Sequence, residues 1–173
     1  MNTRKQIRLQ NYDYSENGAY FITICTKDKK QIFGRVVGDG ILDVPQDNVV
    51  EKENVYIRLS EVGKIVKQAI EYINEHNKNV DVKKYVIMPN HIHLIVMVNV
   101  ANGTSRKPSP TLNNITTRQN EIIPKLISSL KRFTNKQCGF DIWQRSYIDH
   151  VIRNEQDYLK HLEYIDNNPI RKR

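Results

Sequence analysis

Two runs rich in β-forming residues, Val80 to Met88 and His91 to Val100, are joined only through Met88-Pro89-Asn90, and no other feature constrains the fold so tightly. A joint that short sends the second run straight back along the first, so the two must pair antiparallel as a hairpin. Pro89 cannot donate to a strand ladder and Asn90 tolerates turn geometry, which fixes the reversal at those residues. Two strands of this length belong in the middle of a sheet. The longest apolar stretch, Leu94 to Val98, lies in the second run and falls far short of the ~20 residues a membrane-spanning helix needs.

The remaining chain arranges itself round that hairpin. Gly18 to Thr26 (GAYFITICT) alternates, with Tyr20, Ile22 and Ile24 on one face, and predicts a central strand. From Gln31 to Leu59, short β-like pieces at Ile32 to Val37 and Val55 to Leu59 are broken by Gly34, Gly38, Gly40 and Pro45, which predicts hairpin and loop. After Ser60, a suitable N-cap, the apolar period becomes three and four through Val62, Ile65, Val66, Ala69, Ile70 and Ile73, the pattern of an amphipathic helix. Residues 101–118 are polar and contain Pro108 and Pro110, so they read as a long surface loop. A second helix is expected from about Glu121 to Lys136, with Pro124 in its first turn. Its Ile123, Ile127, Leu130 and Phe133 should point inward, and Lys125, Arg132 and Lys136 should share another face. Ile142 to Ile152 reads as extended, and Asn154 caps a last helix with Tyr158, Leu162 and Ile165 as its apolar stripe.

A length of 173 residues suits one domain covering 1–173. Strands, helix, hairpin strands, helix, strand and helix in that order predict an α+β fold of ferredoxin-like character, with a central antiparallel sheet of about four or five strands flanked by helices.

Charge bears on the partner. Lys and Arg outnumber Asp and Glu 27 to 19, a formal +8. Such a surplus favours a polyanion, because neutralising phosphates releases condensed counterions, although a basic protein with no nucleic-acid role has the same composition. Cys25 and Cys138 form no CxxC pair and no disulfide framework, which suits a reducing compartment and two buried thiols. The charges of Met1 to Gln6 have no apolar segment behind them, so no secretory signal is read and a cytoplasmic protein is expected.

The sharpest chemical feature is His91-Ile92-His93 at the start of a strand. Side chains at i and i+2 leave the same face, so both imidazoles converge while Ile92 turns away. Two imidazoles side by side supply two-thirds of an open metal site, which a third ligand completes while leaving room for a phosphate oxygen. Taken alone, the pair is equally compatible with packed or surface histidines. On the last helix, Asp157, His161, Tyr164 and Asn168 fall at i, i+4, i+7 and i+11, on one stripe, so Tyr164 and Asn168 are neighbours. A phenol with its ordinary pKa near 10 attacks phosphorus only if the phosphate is polarised or the proton is removed. A tyrosine on an amphipathic helix is otherwise an ordinary boundary residue.

Three ordered runs carry a family resemblance that spans nearly the whole chain. Tyr85 to Val96 (YVIMPNHIHLIV) resembles the HUH strand (His, hydrophobic, His) of single-tyrosine transposases, especially the REP-associated tyrosine transposases. Ile142 to Asn154 (IWQRSYIDHVIRN) resembles that family's second signature, and Asp157-Tyr158 followed by Tyr164-Ile165-Asp166-Asn167-Asn168-Pro169 resembles its third. The opening, Arg8 to Thr26, is similar to its first strand. The resemblance implies an HUH endonuclease fold in which His91 and His93 bind Mg2+ or Mn2+, Asn168 completes the metal site and Tyr164 attacks the phosphate. It further implies a 5'-phosphotyrosine link, a free 3'-OH that later rejoins the DNA, and single-stranded DNA with a hairpin or palindromic repeat as partner, bound by a monomer or a homodimer. The sequence ends at Ile170 to Arg173, where many relatives continue with a tail, which puts regulation by such a tail in doubt.

Other residues keep two readings. His150, His161 and Asp157 either orient the site or are structural. Trp143 packs in the core or stacks on a base. Lys125, Arg132 and Lys136 follow a DNA backbone or form a solvated face. Arg4, Lys5 and Arg8 form a basic arm, and Arg145 and Arg153 have planar forks suited to phosphate. Three rivals remain at this point: a catalytically inactive nucleic-acid-binding domain of the same fold, a metal phosphodiesterase that uses water, and a basic protein whose histidines merely pack.

Overall fold

Side chains of a strand alternate between faces, and the whole architecture follows from how the two faces of one sheet are covered. The computed structural model describes residues 17–37, 56–99 and 122–168. Arg4, Lys5 and Arg8, and the loop expected at 101–118, lie outside the described residues.

Strand β1 (Gly18–Cys25) pairs antiparallel with β5 (His91–Val98) on one side and β6 (Ile148–Ile152) on the other. Strand β4 (Val80–Met88) pairs antiparallel with β5 through the expected turn at Pro89-Asn90, giving the order β4-β5-β1-β6. A small separate ribbon joins β2 (Gly34–Val37) to β3 (Tyr56–Leu59). The expected α+β fold with a central antiparallel sheet is thus what the chain adopts.

Register sets what each face carries. Tyr20, Ile22 and Ile24 stand opposite Val96, Leu94 and Ile92 on one face, while Phe21, Thr23 and Cys25 stand opposite Ile95, His93 and His91 on the other. Helices α1 (Glu61–His76) and α2 (Ile122–Cys138) cover the first face, where Val66, Ile70, Ile123, Ile127 and Leu130 close over Ile22, Ile24, Ile92 and Leu94. Each such side chain contributes ~1.5–3 kcal/mol by leaving water, so this face holds most of the fold's stability. Helix α3 (Glu155–Asn167) covers the second face with a much smaller apolar contact, in which Ile165 is buried against Ile95 and Ile152.

Ser60 caps α1 as expected: its hydroxyl accepts from Gly63 N at 3.1 Å and donates to the Ile32 carbonyl. Gly63 itself permits that docking, since a methyl group there would lie 2.0 Å from the Phe33 carbonyl oxygen. Trp143 is a core residue, with its ring 5.0 Å from that of Phe33 and its Nε1 donating to Thr134 Oγ1 at 2.7 Å.

Five expectations need correction. Of the two hairpin strands only β5 lies in the middle of the sheet, and β4 forms its edge. Phe133 is 43% exposed, and Thr134 takes the inward place because the buried positions Ile123, Ile127, Leu130 and Thr134 follow the helical period one residue further on. Helix α2 runs to Cys138, two residues beyond the expected end. Ile142 to Ile152 is not one extended run: Trp143 bridges Thr26, and regular pairing begins only at Ile148. Between them, Lys131 Nζ donates to the carbonyls of Gln144 (2.7 Å), Arg145 and Ser146 (both 3.3 Å), which fixes an irregular path. Burial pulls that ammonium's pKa down to about 8. Cys25 and Cys138 are free thiols but only half-buried. Among the described residues no helix is long and apolar enough to cross a membrane.

Candidate active site

The second face of the sheet holds two buried polar side chains, His91 (7% exposed) and His93 (4%), and the helix packed over that face ends in a third, Asn168 (3%). The β4–β5 turn positions the first two. His91 opens β5, and its Nδ1 lies 2.7 Å from the amide oxygen of Asn90 in the turn. An amide oxygen only accepts, so His91 Nδ1 is the donor in this contact. His93 Nδ1 meets the Thr23 hydroxyl of the neighbouring strand at 2.8 Å, across the register pair Thr23 and His93. The two imidazoles are 4.6 Å apart between centroids and inclined at 77°. Oxygen partners on both Nδ1 atoms are the arrangement that orients histidines for ligation through Nε2.

Helix α3 brings the phenol. Its N-terminus is fastened to β6 by a capping box: Asn154 Oδ1 accepts from Asp157 N at 2.8 Å, and Asp157 Oδ2 accepts from His150 Nε2 at 2.8 Å and from Arg153 N at 3.4 Å. The hydrogen bond from His150 holds the Asp157 carboxyl below its ordinary pKa. Further along, Asp166 pairs with Lys84 of β4 at 2.7 Å. Between these anchors, the Tyr164 ring stands edge-on to His93 with centroids 5.2 Å apart, and edge-on to Phe21 at 5.9 Å. Tyr164 is 37% exposed, so a substrate reaches it from solvent. Asn168 follows one turn later and caps the helix, its N–H donating to the Ile165 carbonyl.

His93 therefore has His91 on one side and Tyr164 on the other, and Asn168 is buried one turn beyond the phenol. His150, Asp157 and His161 form an adjoining group whose ligand atoms lie within 4.8 Å of one another. The His150 and His161 rings stack at 4.9 Å, and His161 Nδ1 lies 2.8 Å from the Asp157 carbonyl. Arg145 and Arg153 are exposed, the latter at the start of α3. Lys125, Arg132 and Lys136 do not join the site, because α2 lies across the sheet from α3.

Three residues escaped the sequence reading. Phe21 packs its ring against His93 (5.2 Å), His161 (4.4 Å) and Tyr164 and so links strand and helix. Thr23 and Asn90 orient the imidazoles. The signal for Phe21 and Thr23 was present: they occupy the alternate phase of a strand whose other phase is wholly apolar.

The donor set suits a divalent ion. Two neutral imidazoles and an amide oxygen accommodate Mn2+ readily, and Mg2+ with more of its own water retained.

Known proteins resemble this chain in sequence and in fold. Residues 14–168 match the family model described as "Transposase IS200 like". A Haemophilus influenzae protein described as a putative REP-associated tyrosine transposase is 26% identical over 165 residues, covering 94% of this chain and 77% of its own. The Escherichia coli REP-associated tyrosine transposase is 29% identical over 92 residues, or 53% of this chain and 45% of that protein. A solved REP-associated tyrosine transposase bound to a REP hairpin has the same fold, with a TM-score of 0.59 at 18% identity over 96% of this chain and 73% of that one. A family match over residues 14–168, nearly its full length, means that the chain belongs to the IS200-like transposases.

Proposed function

We propose that this transposase nicks and rejoins single-stranded DNA through Tyr164. The observation that supports this most directly is the Tyr164 ring set edge-on to His93, the second of two buried imidazoles on one strand. In the proposed step the phenol oxygen bonds to phosphorus, the bond from phosphorus to the 3' oxygen breaks, and that oxygen leaves as a 3'-OH. The product is a 5'-phosphotyrosine. The reverse attack by a 3'-OH rejoins the strand and returns the phenol, so no nucleotide cofactor is required.

His91, His93 and Asn168 would hold Mg2+ or Mn2+, which when bound supplies Lewis-acid polarisation of a phosphate oxygen. The protein's own residues set the geometry: Asn90 and Thr23 fix the imidazoles, Phe21 and His93 confine the phenol ring, and the capping box fixes the start of α3. His150, Asp157 and His161 orient α3 on the sheet. Hairpin or palindromic DNA is the proposed substrate, since the fold-matched relative was solved on a REP hairpin and this chain carries a net +8. The basic arm of Arg4, Lys5 and Arg8, with Arg145 and Arg153, would contact backbone phosphates. With such a partner the enzyme would act in the cytoplasm, as monomer or homodimer.

Incubation with pools of single-stranded hairpin oligonucleotides and Mn2+ should yield a denaturation-resistant adduct that maps to Tyr164. Tyr164→Phe should abolish it, a loss of at least about 10⁴-fold by analogy with removal of other nucleophiles, with no change in Tm. Cleavage that persists in Tyr164→Phe without an adduct would establish a water-using phosphodiesterase instead. Binding with no cleavage by the wild type would mark an inactive binding domain.

A further inference from the structure

Across the sheet from Tyr164, α1 and α2 leave between them an open cleft of about 680 Å³. Tyr72 and His76 of α1 and Leu126, Arg132, Phe133 and Lys136 of α2 line it. Two of these are large rings facing solvent, Tyr72 at 56% exposure and Phe133 at 43%. Exposed aromatics of that size are normally buried, and here they are organised: the two rings lie parallel within 5°, with centroids 6.5 Å apart. His76 continues the stack, its ring 3.9 Å from Tyr72 at 15°, steadied by Nδ1 lying 3.1 Å from the Tyr72 carbonyl.

The charge lining the cleft is basic: Arg132 and Lys136 flank Phe133 on α2 and no carboxylate lines it among the described residues, Glu75 standing outside it with its carboxylate 3.9 Å from His76 Nδ1. A partner must therefore offer flat apolar groups and negative charge together, which describes nucleotides. A second copy of this chain meets the opposite condition. A twofold contact through this patch would place Arg132 and Lys136 against their own equivalents, with like charges opposed.

We propose that this cleft is a second binding site for single-stranded DNA, in which unpaired bases stack on Tyr72 and Phe133 while backbone phosphates meet Arg132 and Lys136. Aromatic platforms beside cations bind single strands without demanding a sequence, because every base has a π-face. The cleft and Tyr164 lie on opposite faces of the sheet, so one strand engaging both must pass round the sheet's edge. This inference rests on the reading that single-stranded DNA is the substrate. It adds that DNA flanking the cleaved hairpin is held at a distance from the chemistry.

The test compares a hairpin oligonucleotide with and without a single-stranded extension of roughly 16 nucleotides, the upper end of ordinary single-strand site sizes. Equilibrium binding is measured for the full chain and for Tyr72→Ala/Phe133→Ala. The extension should tighten binding by the wild type. The double variant should lose about tenfold or more on the extended DNA and nothing on the bare hairpin, and Tyr72→Trp/Phe133→Trp should restore the difference. Arg132→Gln/Lys136→Gln should lower the slope of log affinity against log salt by about 1.4, at ~0.7 per phosphate contact on single strands. Equal affinity of wild type and double variant for the extended DNA overturns the proposal, as does a change in sedimentation showing that the rings join two copies. Adduct formation on the bare hairpin should be the same in the double variant and the wild type. Loss of that adduct in the wild type would count against the tyrosine chemistry, whereas an intact adduct with no effect of the rings would count against the cleft alone.

Discussion

The two faces of the central sheet differ in kind. On the face under α1 and α2, every strand position from Tyr20 to Ile24 and from Ile92 to Val96 that points inward is apolar and almost fully buried. On the face under α3, the same strands present Phe21, Thr23, His91 and His93, and Met88 of β4 joins Ile95, Ile152 and Ile165 as the buried apolar members of that layer. One layer therefore secures the fold and the other presents the candidate site. Such a division would let a helix bearing the proposed nucleophile rest on the sheet through few apolar contacts, held at its ends by polar bonds, without threatening the stability of the whole.

Adjacent residues on β5 offer the most direct way to break this comparison. His93→Ala should reduce adduct formation on the order of 10³-fold, the scale of losing several kcal/mol of charge stabilisation, with little change in Tm. Ile92→Ala, one residue away on the opposite face, should do the reverse. It should cost about 2–5 kcal/mol of stability, read as a fall in Tm of roughly 2–4 °C per kcal/mol, while the molecules still folded keep their activity. A comparable Tm loss from both variants would show that the faces are not separable.

Smaller effects sharpen the same contrast. Thr23→Val removes the oxygen that orients His93 and keeps the side chain's volume, so divalent-ion affinity should fall about 10–100-fold, measured by titration with Mn2+. The capping box should respond to pH. Asp157 has a depressed carboxyl pKa, so its contribution is complete above the ordinary value of 3.8 and is lost as pH falls below it. Hydrogen exchange at α3 amides should accelerate in that acid range before exchange in β1 and β5 does. Uniform acceleration across the sheet would tie α3 to the main core after all.

Much of this was legible in the sequence because it depends on local period. The β4–β5 turn at Pro89-Asn90, the shared face of His91 and His93, the Ser60 and Asn154 caps and the stripe of Tyr158, Leu162 and Ile165 all follow from alternation, helical spacing and cap chemistry. What escaped depends on which elements meet across space. Period assigns Phe133 to the inward face of α2 and does not say that Thr134 will receive the Trp143 N–H and be drawn inward in its place. Nor does it reveal that the basic stripe of α2 lies across the sheet from Tyr164. Thr23 and Asn90 looked like ordinary strand and turn residues, since their role exists only through imidazoles supplied by β5.

Gly63 shows how far a single hydrogen atom's worth of space can reach. With only 2.0 Å between the position of a missing methyl and the Phe33 carbonyl oxygen, α1 is seated as low as a backbone can sit. Alanine at this point would act as a wedge beneath one end of a rigid rod, and Tyr72 rides on the same rod more than two turns away. The spacing of the two parallel rings is therefore gauged at the helix's far end, by a residue that touches neither of them.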